Sequence, residues 1–203
     1  MSGGVGAGVS GATFGTRADV GAGRVPAPAP AGGAPVGHLF GAADAPLRVV
    51  AYGTFECLHC RRAWPALRAL AADSSAGVAV EWRHFAPAGA FPNATRAALA
   101  AEAAAAAQED APDGAYWAMH EALMAAPSPL WPERVDGVAA ALGLDVAELR
   151  AAAASPAVRA RVEAQRAAAA ADGVRGTPTA FLRGARLDLS DVDALRGQVT
   201  RGG

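Results

Sequence analysis

The chain contains no lysine and no isoleucine, and only two cysteines among its 203 residues. Its basic side chains are therefore all arginine, 18 against 19 acids, for a net charge of −1. That balance argues against a nucleic-acid surface or a polybasic membrane contact. No stretch reaches the roughly 20 apolar residues of a bilayer span, so direct membrane insertion is not expected. With no third cysteine, no structural disulfide can form beside the one available pair. A zinc site needs about four ligands, and two thiolates with one histidine fall short, so neither a metal nor another cofactor is expected. An early basic cluster and a compact apolar core, the parts of a secretory signal, are also missing. As written, the sequence predicts a cytoplasmic protein, or an exported or fused form if the natural start lies elsewhere. The lack of Lys and Ile beside abundant Ala, Gly and Pro reads as genomic bias, so the alanine count is given no structural weight.

The two cysteines stand three positions apart in Cys57-Leu58-His59-Cys60. A strand-like run, Leu47 to Gly53, precedes them, and apolar residues at helical spacing, Trp64, Leu67 and Leu70, follow. On the first turn of a helix, positions i and i+3 share one face and can close a small disulfide ring. The first thiol there meets unpaired N–H groups and the positive end of the helix dipole, which favour its thiolate. A poised thiolate beside a second thiol is suited to thiol–disulfide exchange.

Residues 1–36 hold ten glycines and the Pro-Ala-Pro-Ala-Pro run at 26–30, and are predicted to be a disordered tail. His38 is read as its end. Residues 37–203 form the predicted domain. A second strand is predicted over Val78–Phe85, and Pro65 is expected to kink the intervening helix. From about 93 to 172 no strand signal occurs. Four or five helices are predicted instead, with N-caps at Asp145 and Ser155. Thr177–Leu182 and Arg186–Leu189 read as paired strands about a turn at Gly184-Ala185, and Asp191–Val199 as a closing helix.

This order, with the CLHC motif, Pro65, Trp82-Arg83-His84-Phe85, Tyr116-Trp117-Ala118-Met119-His120 and Gly176-Thr177-Pro178-Thr179, resembles the DsbA-like thiol–disulfide oxidoreductase family. The resemblance implies an α/β thioredoxin fold with an all-helical insertion between an N-terminal βαβ and a C-terminal ββα half. It implies that Cys57 is the nucleophile and Cys60 the resolver. Thr177 and Pro178, the latter cis, would face them and bind a substrate backbone. His59 would tune the thiolate toward an oxidising potential. The implied partners are protein or peptide thiols and disulfides, with an unidentified redox partner. Similar domains are also associated with membrane transporters, including sodium/proton antiporters, so a redox-sensing module is the alternative.

The chain departs from the family where a buried carboxylate often precedes the first cysteine by six residues: it has Ala51. Thr54 and Leu58 also differ from common family choices. Glu56 is a candidate substitute proton carrier, with a solvated loop-edge acid as the plainer reading. Arg61, Arg62 and Arg68 are assigned to the solvent side of the helix. His84, His120, Tyr116 and Trp117 are read as packing residues, the histidines with local hydrogen bonds.

Overall fold

A computed structural model of the chain describes Met1 and residues 35–108, 112–191 and 194–202. The predicted disorder of the tail falls almost wholly outside these residues. The described chain runs β1 (His38–Phe40), β2 (Leu47–Gly53), α1 (Leu58–Ala72), β3 (Val78–His84), five helices α2 (Ala94–Ala107), α3 (Pro112–Ala125), α4 (Pro132–Ala141), α5 (Val146–Ala154) and α6 (Pro156–Ala171), then β4 (Thr179–Leu182), β5 (Ala185–Leu187) and α7 (Leu195–Gly202). This is the expected βαβ half, helical insertion and ββα half.

The five strands lie in the order β1-β3-β2-β4-β5. Only β2 and β3 are parallel, because α1 carries the chain back across the sheet before β3 begins. β2 sits between β3 and β4, and its alternation divides the sheet's two faces. Val49 and Ala51 join the main core with Trp64, Leu67, Val80 and Trp82. Val50 and Tyr52 join a smaller cluster with Ala169, Val174 and Phe181. On that second face the Tyr52 hydroxyl donates to Asp172 at 2.5 Å and accepts from Arg83 at 2.7 Å. Burial and the Asp172 hydrogen bond push the Tyr52 phenol well above its ordinary range.

Local signals explain most boundaries. The Asp145 side chain accepts from the Glu148 N–H at 2.9 Å and Ser155 Oγ from the Val158 N–H at 3.3 Å, so both expected caps form. Helix α1 continues through Pro65 as one element. The β4–β5 turn is centred one residue earlier than expected. Arg183 and Gly184 both take positive φ, 50° and 84°, the geometry of a two-residue hairpin whose twist matches its strands.

Two expectations need correction. His38 does not end the tail: it belongs to β1, pairs in register with Trp82, and is buried. The alanines are not structurally silent either. Helix α2 buries Ala94, Ala97, Ala98, Ala100, Ala101, Ala103, Ala104 and Ala105, with Glu102 as the one charged residue among them.

Candidate active site

The C-terminal ends of β2 and β3 and the N-terminus of α1 converge on the cysteine pair. The Cys57 N–H donates to the Thr54 carbonyl at 3.3 Å, closing the turn that ends β2. Cys57 is the N-cap of α1 and makes no side-chain cap, so the first N–H groups of the helix remain available to its sulfur. Both cysteines are free thiols, with 4% of Cys57 and none of Cys60 exposed.

The two thiols are driven in opposite directions. The hydrogen bond from the Cys60 thiol is the largest influence on Cys57, and the N–H groups of Cys60 and His59 and the Thr177 side chain add to it. Together they outweigh burial and lower the Cys57 thiol to about 5. Cys60, as the donor in that hydrogen bond and deeply buried, is pushed far upward. At neutral pH the reduced pair therefore holds a thiolate at Cys57 and a thiol at Cys60.

Thr177-Pro178 is cis, and so is Ser128-Pro129, which had no sequence signal. In the protonated state, Cys57 Sγ–H donates to the Thr177 carbonyl at 3.4 Å. Thr177 and Pro178 thus lie across from the cysteines. His59 is exposed and, with Pro178, Arg186 and Leu187–Ser190, lines a groove of about 450 Å³. Its imidazole has no hydrogen bond or ion pair among the described residues. The part of His59 that lowers the Cys57 pKa is its backbone N–H. Leu58, the residue between Cys57 and His59, is 57% exposed.

Three residues shape the site in ways the sequence did not reveal. Gly53 has no room for a side chain: a Cβ there would lie 2.3 Å from the Trp82 ring and 3.1 Å from Cys60 Sγ. The indole thus packs against the backbone beside the resolving thiol. Glu56 does not behave as a free loop-edge acid. Its carboxylate accepts from Asn93 N at 3.1 Å, Asn93 Nδ2 at 3.2 Å and Leu130 N at 2.8 Å, fixing the insertion to the residue before Cys57. Arg61 is only half-exposed: it donates through Nε to the Phe55 carbonyl at 2.6 Å and through Nη1 to the Ala126 carbonyl at 2.5 Å. Only the spacing of Glu56 and Arg61 around the motif could have flagged them, and charged residues flanking a loop usually face water.

The other histidines form a buried layer beneath the site. His84 Nε2 and the Tyr116 hydroxyl are 3.0 Å apart, and burial lowers the His84 pKa to about 4. His120 packs edge-on to Trp64 and Trp82, and neither of its ring nitrogens has a hydrogen-bond partner among the described residues. The expected packing is present, but the expected hydrogen bonding of His120 is not. Among the described residues, no group of three or more His, Cys, Asp or Glu side chains is arranged to hold a metal ion.

Known proteins resemble this chain in sequence and in fold. Two curated relatives, each named as a Na(+)/H(+) antiporter NhaA, come from Salinispora arenicola and Herminiimonas arsenicoxydans. The first is 37% identical over 80% of this chain and 24% of its own length, the second 37% over 82% and 26%. This chain thus spans about a quarter of those relatives. A thioredoxin-like oxidoreductase from Silicibacter pomeroyi superposes with a TM-score of 0.69 at 26% identity, covering 83% of this chain and 94% of that one. The thiol-disulfide exchange protein alpha-DsbA2 from Wolbachia pipientis shares the fold, with a TM-score of 0.68 at 16% identity over 82% and 87% of the two chains. The DSBA-like thioredoxin domain family matches residues 48–200, from β2 into α7, and the chain belongs to that family.

Proposed function

We propose that this protein is a thiol–disulfide oxidoreductase that acts on protein or peptide thiols with an oxidising bias, Cys57 being the exchanging sulfur and Cys60 the resolver. The observation that carries this reading is the split between the two thiols: Cys57 lowered to about 5 and Cys60 driven upward. In the oxidising direction a substrate thiolate attacks Cys57 Sγ of the intramolecular disulfide, and Cys60 departs and takes a proton. A second substrate thiolate then attacks the substrate sulfur of the mixed disulfide and expels Cys57 as a thiolate. The substrate loses two electrons as its disulfide forms, and the enzyme pair gains them. A low-pKa Cys57 is a good leaving group in that second step. It also stabilises the reduced pair, which raises the potential from the thioredoxin value of about −270 mV toward about −120 mV.

In this reading Thr177 and Pro178 receive the substrate backbone, a role supported by the approach of the Thr177 carbonyl to Cys57. His59 tunes the Cys57 thiolate chiefly through its backbone N–H. An unidentified redox partner reoxidises the pair. Equilibration with a glutathione buffer tests the proposal: a potential nearer −120 than about −270 mV supports an oxidant, and a thioredoxin-like value would replace it with a reductant.

A second reading is a redox-sensing module working with a membrane transporter; the antiporter names of the relatives prompt it without deciding it, since this chain matches only about a quarter of their length. Slow exchange with disulfide substrates, together with a stable complex whose affinity changes with the redox state of Cys57 and Cys60, would favour it over turnover.

A further inference from the structure

A groove of about 660 Å³ lies between α2, α4, α5 and α6, away from the Cys57–Pro178 cleft. Its volume falls within the range of binding sites, about 300–1,000 Å³. Leu99, Ala100, Val135, Leu149 and Ala153 give it apolar walls, while Arg96, Arg150 and Arg159 bring positive charge to it. Asp136, the acid in this lining, is already ion-paired with Arg150. Arg96 is exposed and has no acidic partner among the described residues, and Arg159 donates through Nε to the Ala154 carbonyl at 3.1 Å. The groove is therefore apolar inside and cationic at its edge, in a chain whose net charge is −1.

Two further observations favour a polypeptide over a compact molecule. A second depression shares Thr95, Leu99 and Arg159 with the groove and extends it along α6 to Val162, Glu163 and Arg166, the last two ion-paired with each other, giving an elongated track. Trp131, the chain neighbour of the lining residue Pro132, is 51% exposed and makes no ring contact among the described residues. Exposed tryptophan and arginine are the side chains that most often anchor protein interfaces.

We propose that this groove docks an acidic, apolar segment of a partner protein, with Trp131 and the Arg96 and Arg159 guanidinium groups as its anchors. The proposal deepens the oxidoreductase reading by assigning recognition of a partner to a surface separate from the cysteine cleft. The two surfaces are joined by Asn93, which lines the groove and binds the Glu56 carboxylate next to Cys57. The chain's own tail is a poor occupant: Arg17 and Arg24 outnumber Asp19, so it repeats the groove's charge.

The test is a fluorescence titration of the full-length reduced chain with a cysteine-free amphipathic peptide of about 18 residues, five helical turns, bearing Leu and Ala on one face and Glu on the other. The same peptide with Lys for Glu, and laurate, are the comparison probes. Saturable binding of the Glu peptide is expected, with an emission change that disappears in Trp131→Phe. Affinity should fall with added salt and by about tenfold or more in Arg96→Glu/Arg159→Glu, and should largely return in Arg96→Lys/Arg159→Lys. Equal binding of the Lys peptide, or unchanged affinity in the charge-reversed variant, would overturn the proposal. Laurate saturating the groove without peptide binding would make it a small-anion site instead. Tighter peptide binding after deletion of residues 1–34 would make the tail its occupant, and self-association blocked by Arg96→Glu/Arg159→Glu would make it a second copy; either overturns the partner assignment. Exchange with a small disulfide is assayed separately, so its failure would remove the oxidoreductase reading while the peptide titration still decides the groove.

Discussion

The seam where α3 meets α1 and the sheet, and the α2 surface within the helical insertion, are packed by different means. At the seam, large rings interlock: Trp64 of α1 stacks on Trp117 of α3 with centroids 5.3 Å apart, and Trp82, His120 and Phe40 meet it edge-on. Across the insertion, α2 offers a surface of alanine methyls. A buried methyl is worth about 0.8 kcal/mol, against about 1.5–3 kcal/mol for a Leu or Phe side chain, so rings supply both energy and a unique fit. Alanine lets helices approach closely but leaves their register weakly defined. Polar hooks supply that definition here. Glu102, buried on α2, accepts from Gln165 at 2.6 Å and from Arg161 at 2.9 Å and lies 3.0 Å from His38, tying α2 to α6 and β1. Glu56 and Arg61 do the same between the active-site loop and the insertion. A smooth helical block is thus seated accurately over a thiol site by a few charged residues.

The contrast can be broken at several points. The largest effect belongs to the sheet half: Cys57→Ser should abolish exchange, while Cys60→Ser should trap mixed disulfides at Cys57, both read by mass spectrometry of the products. The reverse pattern would exchange the two roles. Next comes Glu102→Gln, which leaves Arg161 without its buried counter-charge. Unfolding in urea should show a loss of about 2 kcal/mol, less than for a fully buried pair because the Arg161 left behind is half exposed. Burial acts on Glu102 most strongly and alone would raise its pKa, but His38, His84 and Gln165 together hold it at about 2. Its folded pKa is thus depressed. Its contribution is complete above the unfolded value of about 4.3 and is lost as pH falls through about 2 in the folded state, so wild type and Glu102→Gln should converge in stability under strong acid.

Smaller effects are expected at Glu56 and His59. Glu56→Gln keeps an acceptor but removes the charge from three N–H bonds, and a loss of about 1–2 kcal/mol is expected. If Glu56 carried protons instead, the variant would keep full stability and lose the pH dependence of exchange. His59→Leu should shift the potential only modestly in the reducing direction, since the imidazole has no bond to the thiolate; each 30 mV would correspond to about 1.4 kcal/mol for the two-electron couple. An unchanged potential would leave the His59 backbone N–H as its whole contribution.

Much of this was legible from residue order. The CxxC spacing, the continuous apolar run of β2, the Asp145 and Ser155 caps and the Gly-Thr-Pro-Thr segment each carry local rules that hold wherever the chain folds. What escaped depends on contacts distant in sequence. β1 is three residues long and exists because β3 offers it an edge, so His38 had no pattern of its own. Gly53 looked like the end of a strand, and only the arrival of Trp82 and Cys60 makes a side chain there impossible. Alanine was set aside because its abundance has a genomic explanation, yet α2 uses it for close packing. Glu56 and Arg61 appeared solvated since their partners lie 37 to 74 and up to 65 residues away.

Folding makes Cys57 an activated thiolate and keeps Cys60 protonated and covered. The rate of iodoacetamide alkylation of the reduced protein, followed at each cysteine across pH by mass spectrometry, measures this directly. Cys57 should react alone, with a midpoint near 5. A midpoint at the ordinary thiol value of about 8.5, or alkylation of Cys60 before Cys57, would contradict it.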